Sequence, residues 1–203
     1  MNNRSIAIFL YLFNIKISMR YLQYMEWTRK FRSKYFNGMA KPLVKWGITA
    51  NQLTTLSHLL GLLSCYFLFN NHIVFVVLFC LHLVADGFDG VVARLTKPTL
   101  FGDYYDHIGD QIVALLLLLK IYLYLGDYYV LVILGIFLLT NLIYFFSEMK
   151  SPIIFVRTGT GVALIFSPLN PALFVNGTYL VSGIFLIYSL AKQIAYYSLE
   201  RKK

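Results

Sequence analysis

Long apolar blocks repeat along the chain from about residue 49, each bounded by polar or helix-breaking residues. Each block is close to the roughly 20 residues that an α-helix needs to cross a bilayer. Hydropathy therefore predicts six spans joined by short connections. They lie at about 49–70, 72–92, 103–125, 128–147, 153–169 and 171–194. The predicted fold class is an all-α, polytopic membrane protein with six transmembrane helices.

The first 46 residues follow a different pattern. Residues 5–13 form an apolar run that is too short to cross a bilayer. Between Tyr21 and Phe36, aromatic and apolar side chains recur at helical spacing, and basic side chains fill much of the remaining surface. Such a helix is typical of the membrane interface; a cytosolic helix packed on a partner is the alternative. The predicted organisation is an interfacial segment, 1–46, and a six-helix transmembrane catalytic domain, 47–203.

Composition and charge placement agree with this class. Of 203 residues, 59% are hydrophobic and 13% are charged, whereas about a quarter of the residues in a soluble domain are charged. The net charge is +9, but the basic residues cluster before the first span and at the C-terminus. That placement is typical of residues that fix topology and contact anionic lipid. Membrane lipids are therefore expected partners, and nucleic acid is not.

The positive-inside rule also orients the spans. With both termini in the cytoplasm, the inner connections carry Lys and Arg and the outer connections carry neither. Lys120, near the outer end of the third span, runs against the trend, but its long side chain can reach the interface. This orientation places the connection between the second and third spans at the cytosolic face.

Acidic residues are few and concentrated at that connection. The chain has nine, and five lie within 25 residues: Asp86, Asp89, Asp103, Asp106 and Asp110. Carboxylates among apolar residues are costly unless cations compensate them, so they indicate a functional site. Helix capping and ion pairs with Lys97 and Arg94 would account for one or two of them. Asp103, at the start of the third span, is expected to cap that helix, because a carboxylate interacts favourably with the N-terminal end of the helix dipole.

Helical spacing divides the other four into two pairs. Asp86 and Asp89 are three residues apart, and Asp106 and Asp110 are four apart, so each pair lies on one face of its helix. Because the two helices are antiparallel neighbours, the pairs can converge, and adjacent carboxylates stay partly protonated without nearby cations. Hard divalent ions such as Mg²⁺ or Mn²⁺ take oxygen ligands. Two such ions side by side form a common clamp for displacement at phosphorus.

Small residues and one arginine complete the motif. Gly87, Gly90 and Ala93 leave the helix surface bare, so that a bulky ligand can approach the backbone, and Arg94 supplies a planar cation for phosphate oxygens. The pattern D-x2-D-G-x2-A-R followed by G-x3-D-x3-D resembles the signature of the CDP-alcohol phosphotransferases, membrane enzymes that make phospholipid headgroups. Six spans after a basic interfacial helix are also similar to that family. One departure is that seven residues, rather than eight, separate Arg94 from Gly102.

The resemblance implies a role for each matching position. It implies that Asp86, Asp89 and Asp106 coordinate two metal ions, and that Asp110 is the general base with a metal contact of its own. It also implies a pocket for the cytidine nucleotide, formed by Gly90, Ala93, Arg94 and Gly102. The acceptor hydroxyl would attack the phosphorus of a CDP-linked donor, with CDP-diacylglycerol the expected one, and CMP would leave. The family also implies a homodimer.

Two further segments contain candidate residues. The segment Thr49–Thr54 resembles the P-N-x-x-T motif of the family, with Ala50 in place of the proline. It predicts nucleotide contacts for Asn51 and Thr54, and helix capping is the alternative. Arg157, with Lys150 nearby in sequence, would suit a phosphorylated acceptor; fixing topology or facing lipid is the alternative.

A transporter or an ion or proton channel is the alternative function, since carboxylates inside membranes also mark ion pathways. The aspartates, however, cluster at one side of the membrane, and the outer halves of the spans contain almost no charged residues. The sequence therefore favours the enzyme.

Overall fold

The computed structural model describes residues 36–200, and the regular secondary structure there is entirely α-helical. The first described helix, α1, covers residues 36–45. It is followed by α2 (Ala50–Phe67), α3 (His72–Leu95), α4 (Leu100–Leu125), α5 (Tyr128–Phe146), α6 (Arg157–Ile165) and α7 (Pro171–Glu200). The predicted interfacial helix between Tyr21 and Phe36 lies, apart from Phe36, outside the described residues.

Four of the described helices are long and apolar enough to cross a membrane: α3, α4, α5 and α7. The prediction of an all-α chain with membrane spans is confirmed for these four, whereas the first and fifth predicted spans are not confirmed. The first half of α2 carries polar residues, which lower its hydropathy. The nine residues of α6 make a helix only about 14 Å long, because the chain from 152 to 156 has no regular secondary structure.

Side-chain caps fix where the helices around the site begin. Thr49 caps α2 through a capping box with Gln52, in which the two backbone-to-side-chain hydrogen bonds measure 2.9 and 3.3 Å. Thr99 caps α4 by accepting a hydrogen bond from the Gly102 amide at 3.0 Å. Helix α4 ends at Gly126, whose φ of 65° is left-handed and suits glycine. The Thr49 cap leaves the Asn51 side chain available for other contacts.

The helices pack around a core and present apolar side chains outwards. Phe75 and Phe79 of α3 and Leu117, Leu118 and Ile121 of α4 are fully buried. Helix α3 packs against α2 more extensively than against any other described element. Large apolar side chains on the outer faces of the helices are exposed. Apolar patches of this extent indicate contact with a membrane or a partner, in agreement with the predicted class.

The close packing of α6 on α3 gives a stability prediction. A Cβ atom at Gly161 would lie 1.9 Å from Cζ of Phe79, which is fully buried. We expect Gly161→Ala to lower the free energy of unfolding by about 1–3 kcal/mol, the usual cost of overpacking. Gly159→Ala is the matched control, because a Cβ there would have no atom within 4 Å. Thermal unfolding of the two variants should differ; equal melting temperatures would contradict this packing.

Candidate active site

The two predicted pairs of aspartates converge where α3 ends and α4 begins. Carboxylate oxygens of Asp86, Asp89 and Asp106 all lie within 4.8 Å of one another. A second group shares Asp106 and joins it to Asp110 and to His58 of α2, again with the candidate ligand atoms within 4.8 Å of one another. The helical spacing and the antiparallel arrangement that the sequence predicted are therefore both present.

Arg157 connects the two pairs. Its guanidinium donates to both carboxylate oxygens of Asp86, at 3.2 and 2.9 Å, and also to Asp110. The residue is only 6% exposed, so these are partly buried ion pairs in which the charges compensate one another. It is the first residue of α6, which places this cation beside the ends of α3 and α4. The sequence predicted that Arg157 faces the acceptor, and these contacts with Asp86 and Asp110 have no signal in it.

Asp89 is held from α2 by Thr54. The Thr54 hydroxyl lies 2.7 Å from a carboxylate oxygen of Asp89 and donates to it; the backbone carbonyl of Ala50 is a second, longer neighbour at 3.1 Å. Asp89 is 5% exposed and Thr54 is 4% exposed. A charge-assisted hydrogen bond of this kind fixes the carboxylate rotamer. Thr54 therefore connects the start of α2 to the site.

The donor set fits divalent cations of the magnesium type. Four carboxylates supply oxygen ligands, which Mg²⁺ and Mn²⁺ accept. Those of Asp86, Asp89 and Asp106 lie within 4.8 Å of one another, as do those of Asp106 and Asp110. Arg157 occupies oxygens of Asp86 and Asp110, but each carboxylate has about four lone-pair sites. The ion pairs therefore leave acceptor capacity on both groups. The two candidate groups have Asp106 in common.

A pocket lies beside the carboxylates, between the start of α2 and the connection from α3 to α4. The cavity has a volume of about 70 Å³ and is partly open. Five of the six predicted nucleotide residues line it: Asn51, Thr54, Gly90, Ala93 and Gly102. The sixth, Arg94, is exposed in the last turn of α3, and its Nη1 would lie 3.5 Å from a Cβ at Gly90. Because several of the lining side chains are small, a ligand in the pocket can approach the backbone.

Gly102 lies where α4 approaches α2. A Cβ there would lie 3.1 Å from both Asn51 Oδ1 and Thr99 Oγ1, which is closer than most side chains tolerate. The pocket is also lined by a basic residue that was not among the predicted nucleotide contacts, Lys97. The signal in the sequence was the position of Lys97 in the connection between two motif residues, Arg94 and Gly102.

The remaining polar residues near the site have other contacts and do not belong to the two candidate metal-binding groups. Lys150 and Glu148 form an exposed ion pair at 2.6 Å, and this hydrogen bond raises the pKa of Lys150 and lowers that of Glu148. Asp103 lies in the first turn of α4, where it favours the helix dipole, but the N-cap is Thr99. His107 stacks on Phe155 with ring centroids 5.2 Å apart, which is a packing contact.

Comparison with known families supports the motif. The family model described as CDP-alcohol phosphatidyltransferase matches residues 47–195. That range includes α2 to α6, most of α7 and every residue that lines the carboxylate site and the pocket. No curated protein and no solved structure matches the chain significantly.

Proposed function

The chain belongs to the CDP-alcohol phosphatidyltransferase family, and from that premise we propose that it transfers a substituted phosphate group from a CDP-linked donor to an alcohol hydroxyl, with release of CMP. The observation that carries the proposal is the convergence of four aspartates beside a pocket lined by small and hydroxyl residues. The proposed donor is CDP-diacylglycerol, because the described chain is almost entirely helices with lipid-facing surfaces. A soluble CDP-alcohol with a lipid acceptor is the second arrangement of the same reaction.

We propose that the pocket binds the cytidine nucleotide. Gly90, Ala93 and Gly102 let a flat base or a phosphate approach the backbone, and Asn51 and Thr54 of α2 provide polar groups. Arg94 and Lys97 flank the pocket with positive charge suited to a diphosphate. The donor would then present its phosphorus to the neighbouring carboxylates. Most of the rate enhancement in such a step comes from positioning and electrostatics.

Asp110 is the proposed general base, which accepts the proton of the acceptor hydroxyl. Its contact with Arg157 fixes the carboxylate and offsets its charge. An arginine has five N–H donors, so Arg157 retains donors for an anionic group on the acceptor. We keep Arg157 as the proposed acceptor-binding residue. Lys150 remains a weaker candidate, since it would have to leave its ion pair with Glu148.

Asp86, Asp89, Asp106 and Asp110 are the proposed ligands of two divalent cations, Mg²⁺ or Mn²⁺. Bound ions would supply positive charge for the oxygens around the transferred phosphorus. The protein's own part is to hold the ligands in place, through Thr54 on Asp89 and Arg157 on Asp86.

We also propose the six-span topology, with the site at the cytosolic face and both termini inside. Exposed Leu59 and Leu63 on the outer face of α2 support a lipid-facing first span. The fifth span would consist of α6 and the non-helical residues 152–156 that precede it. Non-helical backbone is tolerated at membrane depth where protein buries it. Ile153 and Val156 are buried, and the Ile154 amide donates to the Ser189 hydroxyl at 2.9 Å. A homodimer would cover part of the exposed apolar surface.

The proposal is tested by CMP release. Purified protein in nanodiscs is supplied with CDP-diacylglycerol and, separately, with serine, glycerol 3-phosphate, inositol phosphate or choline. We expect CMP from one donor and acceptor pair, only when Mg²⁺ or Mn²⁺ is present. Ion flux into protein-containing liposomes without donor, unchanged by Asp89→Asn and accompanied by no CMP release, would instead support transport.

Substitution of Gly102 tests the pocket. We expect Gly102→Val to raise the KM for the donor by about tenfold, a factor that corresponds to about 1.4 kcal/mol of binding free energy, while kcat changes less. The reason is the 3.1 Å approach of its Cβ position to Asn51 and Thr99. Gly135→Val on α5 is the matched control, because a Cβ there meets no atom within 4 Å. A change in kcat alone would argue against a binding pocket here.

A further inference from the structure

His58 of α2 reaches the carboxylate site from a side that the four-aspartate motif does not include. The residue is 9% exposed. One of its ring nitrogens lies within 4.8 Å of carboxylate oxygens of both Asp106 and Asp110. From the sequence alone, His58 and His82 are both expected to be hydrogen-bonded histidines of the apolar core. The surroundings of the two rings differ, and the difference indicates a function for His58.

The position of the His58 ring is enforced by its neighbours. Gly109 lies between Asp106 and Asp110 on α4, and a Cβ atom at Gly109 would stand 2.0–2.3 Å from three atoms of the imidazole. The ring therefore rests directly on the α4 backbone at the level of the two aspartates. Tyr105 packs against it edge to face, with centroids 5.2 Å apart. An imidazole held this tightly cannot turn to another partner without moving a helix.

One nitrogen of this ring lacks a hydrogen bond within the described residues. His58 Nε2 is buried and makes no hydrogen bond there, although the backbone carbonyl of Asp106 lies near enough to interact with the imidazole. Leaving a buried polar group unsatisfied costs about 1–3 kcal/mol. A ligand that accepts the nitrogen lone pair would remove that cost.

His82 shows why the location, and not the missing hydrogen bond alone, is informative. His82 Nε2 also lacks a hydrogen bond among the described residues. Its Nδ1, however, lies 2.8 Å from the Ser57 hydroxyl, and Phe79 packs on the ring at 5.6 Å. Within the described residues, the candidate metal-ligating groups include His58 and not His82. Of these two described rings, that of His58 alone combines a buried nitrogen with two nearby carboxylates.

We propose that His58 is a nitrogen ligand of a divalent cation that Asp106 and Asp110 also bind. The two cations of the site would then be unequal. One would have the oxygen-only set of Asp86, Asp89 and Asp106, which suits Mg²⁺. The other would have a mixed nitrogen and oxygen set, and imidazole favours Mn²⁺ and later transition metals over Mg²⁺. This proposal deepens the proposed function by assigning a metal preference, but it requires only that the site binds cations.

The experiment is pulsed electron paramagnetic resonance of Mn²⁺ added to the purified chain in nanodiscs, without donor or acceptor. Protein labelled with ¹⁵N only at histidine should show a histidine nitrogen coupled to Mn²⁺. We expect the coupling to vanish in His58→Gln and to persist in the matched controls His82→Gln and His107→Gln. The affinity for Mn²⁺ should fall by at least roughly 10–100-fold, the loss that is typical when a residue hydrogen-bonded to a metal ligand is removed. The affinity for Mg²⁺ should change less.

His58→Asp keeps the test decisive if His58→Gln folds poorly. It replaces the nitrogen by an oxygen donor, so that Mn²⁺ should still bind but without histidine coupling. Mn²⁺ bound to the wild-type chain without histidine coupling, or coupling that survives in His58→Asp, would overturn the proposal. CMP release is measured separately: histidine coupling without CMP release would overturn the proposed function alone, and CMP release without coupling would overturn the ligand assignment alone.

Discussion

Asp110→Asn is expected to reduce the kcat for CMP release by about 10²–10⁴-fold, the range that a general base contributes. The amide has nearly the shape of the carboxylate and its oxygen still accepts a hydrogen bond from Arg157, so that the helices should keep their positions. It cannot accept the proton of the acceptor hydroxyl. Donor binding should change only a few-fold, because Asp110 does not line the adjacent pocket. Initial rates of CMP release and a direct binding measurement with the donor separate the two effects.

Asp127→Asn is the matched control for this substitution. Asp127 caps α5, and asparagine is as good an N-cap as aspartate, so we expect the rate of CMP release to stay within a few-fold of wild type. Asp127 is also remote in the fold from the four converging carboxylates. An Asp110→Asn variant that keeps more than a tenth of the wild-type kcat would exclude Asp110 as the base. Equal losses of kcat and donor affinity would assign it to binding instead.

Arg157→Gln is expected to lower the stability of the metal-free protein by about 3–5 kcal/mol, the usual cost of removing one partner from a buried ion pair. Arg157 is the cation that both Asp86 and Asp110 contact, and it is almost fully buried. Without it, two carboxylates remain close together in apolar surroundings. Thermal unfolding in a chelator should show a melting temperature lower by on the order of 10 °C.

Divalent cations should restore much of this loss, because they compensate the same carboxylates. The Arg157→Gln variant should therefore gain more stability from Mg²⁺ than the wild type does. Arg157→Lys should be intermediate, since a lysine cannot make the paired contacts of a guanidinium. Arg94→Gln is the control, being exposed in the last turn of α3. Equal melting temperatures for Arg157→Gln and wild type in chelator would show that the ion pairs contribute little.

Much of the candidate site could be predicted because its parts are close in sequence. Asp86 to Asp110 spans one helical hairpin, so that spacing along each helix and a short connection are enough to predict convergence. The small residues at Gly90 and Ala93 lie one turn apart on the same helix and reach the same pocket for the same reason. The helical class and four of the membrane spans followed from hydropathy, which depends only on local composition.

Hydropathy was a weaker guide where a helix faces the site. The first half of α2 is polar because Thr54 and Ser57 form hydrogen bonds with α3. The average hydropathy of a segment does not distinguish polar residues that bond to a neighbouring helix from polar residues that face water. The fifth predicted span is partly non-helical: residues 152–156 have no regular secondary structure, and the Ile154 amide donates to Ser189 of α7. These contacts follow from tertiary packing and have no periodic signal.

The sequence by itself determined the helical membrane class, the family and the four converging aspartates, because each depends on composition or on spacing within one hairpin. Only the tertiary structure decided what surrounds those aspartates. Arg157 lies 71 residues from Asp86 along the chain, and His58 lies on a different helix from both of its carboxylate neighbours. Such contacts depend on how helices pack, through close approaches such as Gly109 against His58, and no local pattern encodes them.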